Sequence, residues 1–248
     1  MVDKYNIFTV CNPDYVPFLS LFMCSLYDNV DLEPVDQIIV VNFGLSTELQ
    51  EYFTQTFPKL SFLNAEEVVK SDSVHDSGWS KVTYSKVPYL KKVCETTKIP
   101  TLMVDVDSVF IGDISLRVRE YVGDFVVCDR DREGFSKYIG SYFMVLNMNH
   151  ATEFLTDWST ETLSGDEKHK ESPALSRLVA KSPQYTFIKE PESEVSHFSF
   201  SQAIDPAAFI VHLKSDAGLE TIEKRITQPK VRPYLNRYYK EIEKCVVL

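Results

Sequence analysis

The chain has 248 residues and a formal net charge of −10, long enough for one large α/β domain with a buried core. That charge argues against a nucleic-acid backbone as partner, although a bound cation can reverse the local sign and admit a smaller anionic ligand. No hydrophobic run reaches the length of a membrane span, and Met1-Val-Asp-Lys-Tyr5 lacks the basic and apolar regions of a signal peptide.

Five cysteines, at positions 11, 24, 94, 128 and 245, are scattered and form no Cys-x-x-Cys pair. With no Asn-x-Ser/Thr sequon present, they point to reduced thiols and a cytoplasmic setting.

In chain order, Tyr5 to Cys11 reads as a first strand, ended by Asn12-Pro13-Asp14. Val16 to Tyr27 carries apolar residues at 18, 19, 22, 23 and 26, the spacing of a core-facing helix. Gln37 to Phe43 is a second strand, Thr47 to Phe57 a helix capped by Ser46, and Leu60 to Leu63 a third strand. This alternation predicts βαβ units and an α/β, Rossmann-like fold: a mostly parallel central sheet flanked by helices.

Ser71 to Trp79 is polar and reads as a loop, after which Ser85 looks like a helix cap. Lys86 then falls in the first turn, where Pro88 is tolerated. A cation there is unusual, because the helix dipole repels it. Thr101 to Val104 reads as a buried strand, followed by strands at Asp124 to Cys128 and Ser141 to Asn147. Thr152 to Leu163 is a helix, Gly165 to Ser172 a charged loop, and Pro173 to Ala180 another helix. Ala207 to Leu213 is a late strand, and Pro233 to Cys245 a final helix.

The residues with chemical capacity gather around the strand at Thr101. It ends on Asp105-Val106-Asp107. In an extended segment residues i and i+2 share a face, so both carboxylates converge at the strand's carboxyl end. Open α/β sheets place their ligands at that edge. Two hard oxygen donors there suit Mg²⁺ or Mn²⁺, which would in turn hold a diphosphate.

His212, at the end of the late strand, can complete the set, and an imidazole ligand favours Mn²⁺. His197, in another alternating segment, is its rival. Lys86 and Lys214 are candidates to neutralise phosphates. Asp129 and Asp131 form a second Asp-x-Asp that can face an acceptor hydroxyl or be a charged turn. The signatures Gly-x-Ser-x-Gly, Gly-x-Gly-x-x-Gly, His-Glu-x-x-His and the phosphate loop are all absent.

Taken together, the strand Ile7 to Cys11, the Lys86 helix, Asp105-x-Asp107 and His212-x-Lys214 resemble the GT-A glycosyltransferases, in particular their glycogenin-like, metal-dependent branch. The resemblance covers roughly residues 5 to 215 and implies a GT-A fold with a small antiparallel part. It further implies a metal on Asp105, Asp107 and His212, and a nucleotide-sugar donor, a UDP-sugar, contacted by Thr9, Asn12, Lys86, Asp105 and Lys214. The acceptor would be a hydroxyl of a glycan or protein, approached by Asp129 or Asp131 as catalytic groups beside Lys86. Retention of anomeric configuration is implied over inversion.

One domain is expected, with a nucleotide-binding half at about 1–113, an acceptor half at about 114–215 and a helical tail at 216–248. Two departures touch the acceptor side: Gly140-Ser-Tyr-Phe143 stands where the family has Asn-Ser-Gly, and Glu171-Ser172 where it has Asp-Gln.

Asp105-Val-Asp-Ser-Val109 also satisfies the motif of haloacid-dehalogenase-type phosphatases, with Asp105 as nucleophile. There the motif opens the chain, whereas here about a hundred residues precede it. A third reading is a nucleotide-sugar or glycan binding module without turnover.

Overall fold

The computed structural model describes residues 2–66, 77–130, 135–164, 171–198 and 205–213. The final helix, Lys214, Asp131 and the first part of the polar loop, up to residue 76, lie outside them.

Seven strands make the central sheet: β1 (Tyr5–Cys11), β2 (Val35–Asn42), β3 (Leu60–Asn64), β4 (Thr101–Val104), β6 (Phe125–Asp129), β7 (Tyr138–Val145) and β8 (Phe187–Pro191). Their order is β3-β2-β1-β4-β7-β6-β8. All pair in parallel except β7, which runs antiparallel to β4 and β6. A second, three-stranded sheet of β5 (Ser108–Phe110), β10 (Ile210–His212) and β9 (His197–Phe198) has β10 in the middle. Strand β10 is antiparallel to β5 and parallel to β9.

Strand alternation divides the core between the two faces of the large sheet. On one side Ile7, Val40, Leu102, Val104 and Met144 meet Leu19, Phe22 and Leu26 of helix α1 (Val16–Asn29). On the other, Phe8, Val41, Met103 and Phe143 meet Val87 and Leu90 of α3 (Ser77–Thr97) and Phe154 and Trp158 of α5 (Met148–Ser164). Helix α2 (Thr47–Thr56) starts as its sequence indicates, with the Ser46 hydroxyl accepting from the Leu49 amide at 3.2 Å. Short α4 (Ile114–Val118), then α6 (Glu171–Lys181) and α7 (Glu192–Val195), complete the set.

Helix α3 corrects the sequence reading. It begins at Ser77, not after Ser85, so Ser77 to Trp79 are helical and Lys86 and Pro88 lie inside the helix. Local propensity loses to burial here. Thr83, Lys86, Val87, Leu90 and Cys94 form one buried stripe at helical spacing, while Pro88 faces solvent. The argument from a cation at a helix N-terminus therefore falls, and the burial of Lys86 needs a different cause.

Glu171 and Ser172, read as loop, are already in α6. Strand β8 was not apparent from the sequence. It sits at the sheet edge, ends on a proline and leaves only one of its five residues fully buried, so its apolar alternation is faint.

The aromatic layer under α5 sets much of the stability. Phe154 is fully buried, with its ring 4.2 Å from Phe125 and 5.9 Å from Phe143, centroid to centroid. Phe154→Ala is expected to lower unfolding free energy by about 3–5 kcal/mol, read from urea melts. A loss below about 1 kcal/mol would contradict this packing.

Candidate metal and donor site

The backbone leaves β4 at Val104 and turns through Val106 and Asp107 into β5. The expectation of an extended Asp-x-Asp is thus corrected: the two carboxylates converge through a turn. Strand pairing imposes it, since β4 belongs to the large sheet and β5 must reach β10 of the small one. Two backbone bonds fix the result. The Asp105 amide donates to the Ser141 carbonyl at 3.2 Å, and the Leu213 amide donates to the Asp107 carbonyl at 2.8 Å.

His212 closes the group from β10. Its Nε2 stands 3.0 Å from Asp107 Oδ1 and 3.7 Å from Asp105 Oδ2. One donor atom from each of Asp105, Asp107 and His212 lies within 4.8 Å of the others. His212 is 2% exposed, with the two aspartates half-buried beside it. Two carboxylate oxygens and an imidazole nitrogen are a donor set that fits Mn²⁺ and tolerates Mg²⁺. The rival, His197, pairs through its backbone with Val211, while His212 pairs with Phe198. Among the described side chains it is His212 that meets the aspartates; the side chain of His197 lies outside them.

Lys86 reaches the same spot from α3. Its Nζ is 2.8 Å from Asp105 Oδ1 and 3.9 Å from Glu171 Oε1. Burial works against the ammonium, but the charges of Asp105 and Glu171, the bond to Asp105 and the charge of Asp107 together hold its pKa above the ordinary 10.5. Because this folded value is raised, the stabilisation is complete below the ordinary lysine range and fades only at higher pH. Asp105 thereby divides its oxygens, Oδ1 to Lys86 and Oδ2 toward His212.

Three contributors were not singled out as site residues in the sequence. Glu171, at the first turn of α6, is buried beside Lys86. Gly140 leaves it room: a β-carbon there would stand 3.1 Å from Glu171 Cγ. Ser141 and Ser196 form a buried hydroxyl pair at 2.8 Å, and Ser196 Oγ is 3.2 Å from His212 Nδ1. A polar residue inside the apolar run after Gly140 was the available signal for Ser141. Ser196 adjoins His197, but its role depends on a contact between elements far apart in sequence.

The remaining candidates are more dispersed. Thr9 lies within β1, 1% exposed, and its Oγ1 finds no hydrogen-bond partner among the described residues. Asn12 follows β1, and its side-chain amide donates to Asp14 at 3.3 Å. Asp129 ends β6, with Oδ1 2.7 Å from Lys137 Nζ. Neighbouring Arg130 is held by Glu192 at 3.0 Å.

No family model matches the chain, and no curated protein does. Solved structures do. The apo structure of the WbbM bifunctional glycosyltransferase matches at TM-score 0.65 and 11% identity, over 97% of this chain and 52% of that one. The glycosyltransferase GlyE of Streptococcus pneumoniae TIGR4 matches at TM-score 0.61 and 12% identity, over 97% of this chain and 64% of that one. Its apo form gives TM-score 0.60 at 12% identity, covering 96% and 64%. The chain therefore has a glycosyltransferase fold, and it spans between about half and two thirds of the length of these neighbours.

Lys86→Met should isolate the electrostatic contribution. Removing the ammonium leaves buried carboxylates without their cation, an expected loss of about 3 kcal/mol at neutral pH. The deficit should persist across neutral pH and shrink only above the ordinary lysine value of 10.5, where the wild-type ammonium is itself lost. Urea melts at neutral pH would contradict the pairing if the deficit were absent.

Proposed function

We propose that this chain is a metal-dependent glycosyltransferase that moves a sugar from a nucleoside-diphosphate-sugar, a UDP-sugar, to a hydroxyl on a glycan or protein acceptor. The observation that carries the reading is the Asp105, Asp107 and His212 cluster at the carboxyl edge of β4, within a fold shared with glycosyltransferases.

Asp105 Oδ2, Asp107 and His212 Nε2 would hold the cation, Mn²⁺ in preference to Mg²⁺. A divalent ion in this position supplies positive charge to the departing diphosphate. Lys86 fixes the angle of Asp105 and keeps the buried edge of the site from accumulating unanswered negative charge. Thr9 and Asn12 lie along the strand that would meet the nucleotide, and a buried hydroxyl at Thr9 offers an unused donor and acceptor. Asp129 and Asp131 belong to the acceptor side in this reading, and Lys214 to the diphosphate. Retention of configuration follows the family resemblance.

A cytoplasmic setting also belongs to this reading. Cys11 and Cys94 are buried free thiols, and burial pushes Cys94 up to about 12. No helix among the described residues is long and apolar enough to cross a membrane.

A thermal-shift panel of nucleotide-sugars, each with Mn²⁺ and with EDTA, tests the reading. A UDP-sugar at about a hundred times its Kd should add roughly 2.7 kcal/mol, a rise of several degrees that EDTA removes. Asp107→Asn should lose this response while melting normally without ligand. Equal donor stabilisation with and without metal would overturn the metal assignment. Tight donor binding with neither transfer nor donor hydrolysis would favour a binding module instead. A phosphoaspartyl adduct on Asp105 would favour the phosphatase.

A further inference from the structure

Behind His212 stands a line of buried hydroxyls that none of the chemistry above uses. Ser196 Oγ is 3.2 Å from His212 Nδ1, and Ser141 Oγ is 2.8 Å from Ser196 Oγ. Ser196, Ser141 and His212 are 2%, 5% and 2% exposed, so solvent cannot replace one partner cheaply if it is removed. The three residues come from three separate places: Ser141 from β7, Ser196 from the end of α7, and His212 from β10. Ser196 is itself fixed, its amide donating to the Glu192 carbonyl at 3.1 Å. Ser141 also accepts the Asp105 amide through its backbone carbonyl. One residue of the central sheet thus touches Asp105 directly and reaches His212 through Ser196.

A neutral imidazole carries one proton on one nitrogen, and the partner of the other nitrogen decides which. A metal ligand must present its lone pair on Nε2, which leaves Nδ1 to carry the imidazole proton. Serine oxygens both donate and accept. Nδ1–H can donate to Ser196 Oγ at 3.2 Å, and the Ser196 hydroxyl can in turn donate to Ser141 Oγ at 2.8 Å.

We infer that Ser196, backed by Ser141, is the positioning residue for His212, accepting Nδ1–H so that the ring holds Nε2 toward a divalent cation. The inference rests on the metal reading of Asp105, Asp107 and His212, and assigns a role to residues outside that set.

Binding of Mn²⁺ alone, followed by the electron paramagnetic resonance of the free ion, tests it on the full chain. Ser196→Ala should weaken Mn²⁺ about tenfold to a hundredfold, as losses of such supporting bonds do elsewhere, with Ser141→Ala weakening it less. Ser196→Thr, which retains the hydroxyl, should recover most of the affinity. In a His212→Ala background, where the aspartates alone bind the ion, adding Ser196→Ala should change nothing, because the effect passes through the imidazole.

Unchanged affinity in Ser196→Ala would overturn the inference and leave the metal site standing. So would an equal loss in the presence and absence of His212, which marks a merely structural serine. Wild-type protein that binds no Mn²⁺ sensitive to Asp107→Asn would overturn both this inference and the metal reading.

Discussion

Carboxylates brought together in a half-buried place must be answered by positive charge, and much of this structure follows from how that is done. Asp105 and Glu171 meet the ammonium of Lys86, which α3 presents in the middle of its buried stripe. A buried ion pair adds little net stability over an apolar substitute, yet breaking one partner away is costly. Lys86 therefore constrains more than it stabilises. It ties α3 to the β4 turn and α6, and leaves Asp105 with one oxygen directed toward His212.

The site also depends on two sheets meeting at one corner. Strand β4 belongs to the large sheet and β5, paired with β10, to the small one, and the chain passes from β4 to β5 in the turn that holds Asp105 and Asp107. Backbone bonds from Asp105 to Ser141 and from Leu213 to Asp107 close that corner without using a single ligand atom. The side chains stay available, and their positions are set by the strands instead of by a loop. Such rigid support is what a metal or charged leaving group requires, since small displacements weaken electrostatic contacts steeply.

Much of this was legible in the sequence. The strand at Thr101 to Val104, its closing carboxylates and the late histidine were each visible as short apolar runs ending on polar residues, because buried strands carry that pattern. Helix α3 was misplaced because Ser85 and Pro88 imitate a helix start, whereas tertiary burial of Thr83 and Lys86 extends the helix backward to Ser77. The turn at Val106 was missed because its cause, the pairing of β5 with β10, joins residues about a hundred positions apart. Glu171 and Ser196 were missed as site residues for a related reason. Their partners, Lys86 and His212, are fixed only by packing between distant elements.

The central claim is that Asp105, Asp107 and His212 form one divalent-cation site. Crystals of the protein grown with Mn²⁺ and a uridine diphosphate, with anomalous diffraction collected at the manganese edge, address it most directly. The account predicts a single strong anomalous peak in contact with Asp105 Oδ2, an Asp107 oxygen and His212 Nε2, with the diphosphate on its open side. A peak elsewhere, or a bound diphosphate with no metal between it and these residues, would contradict it.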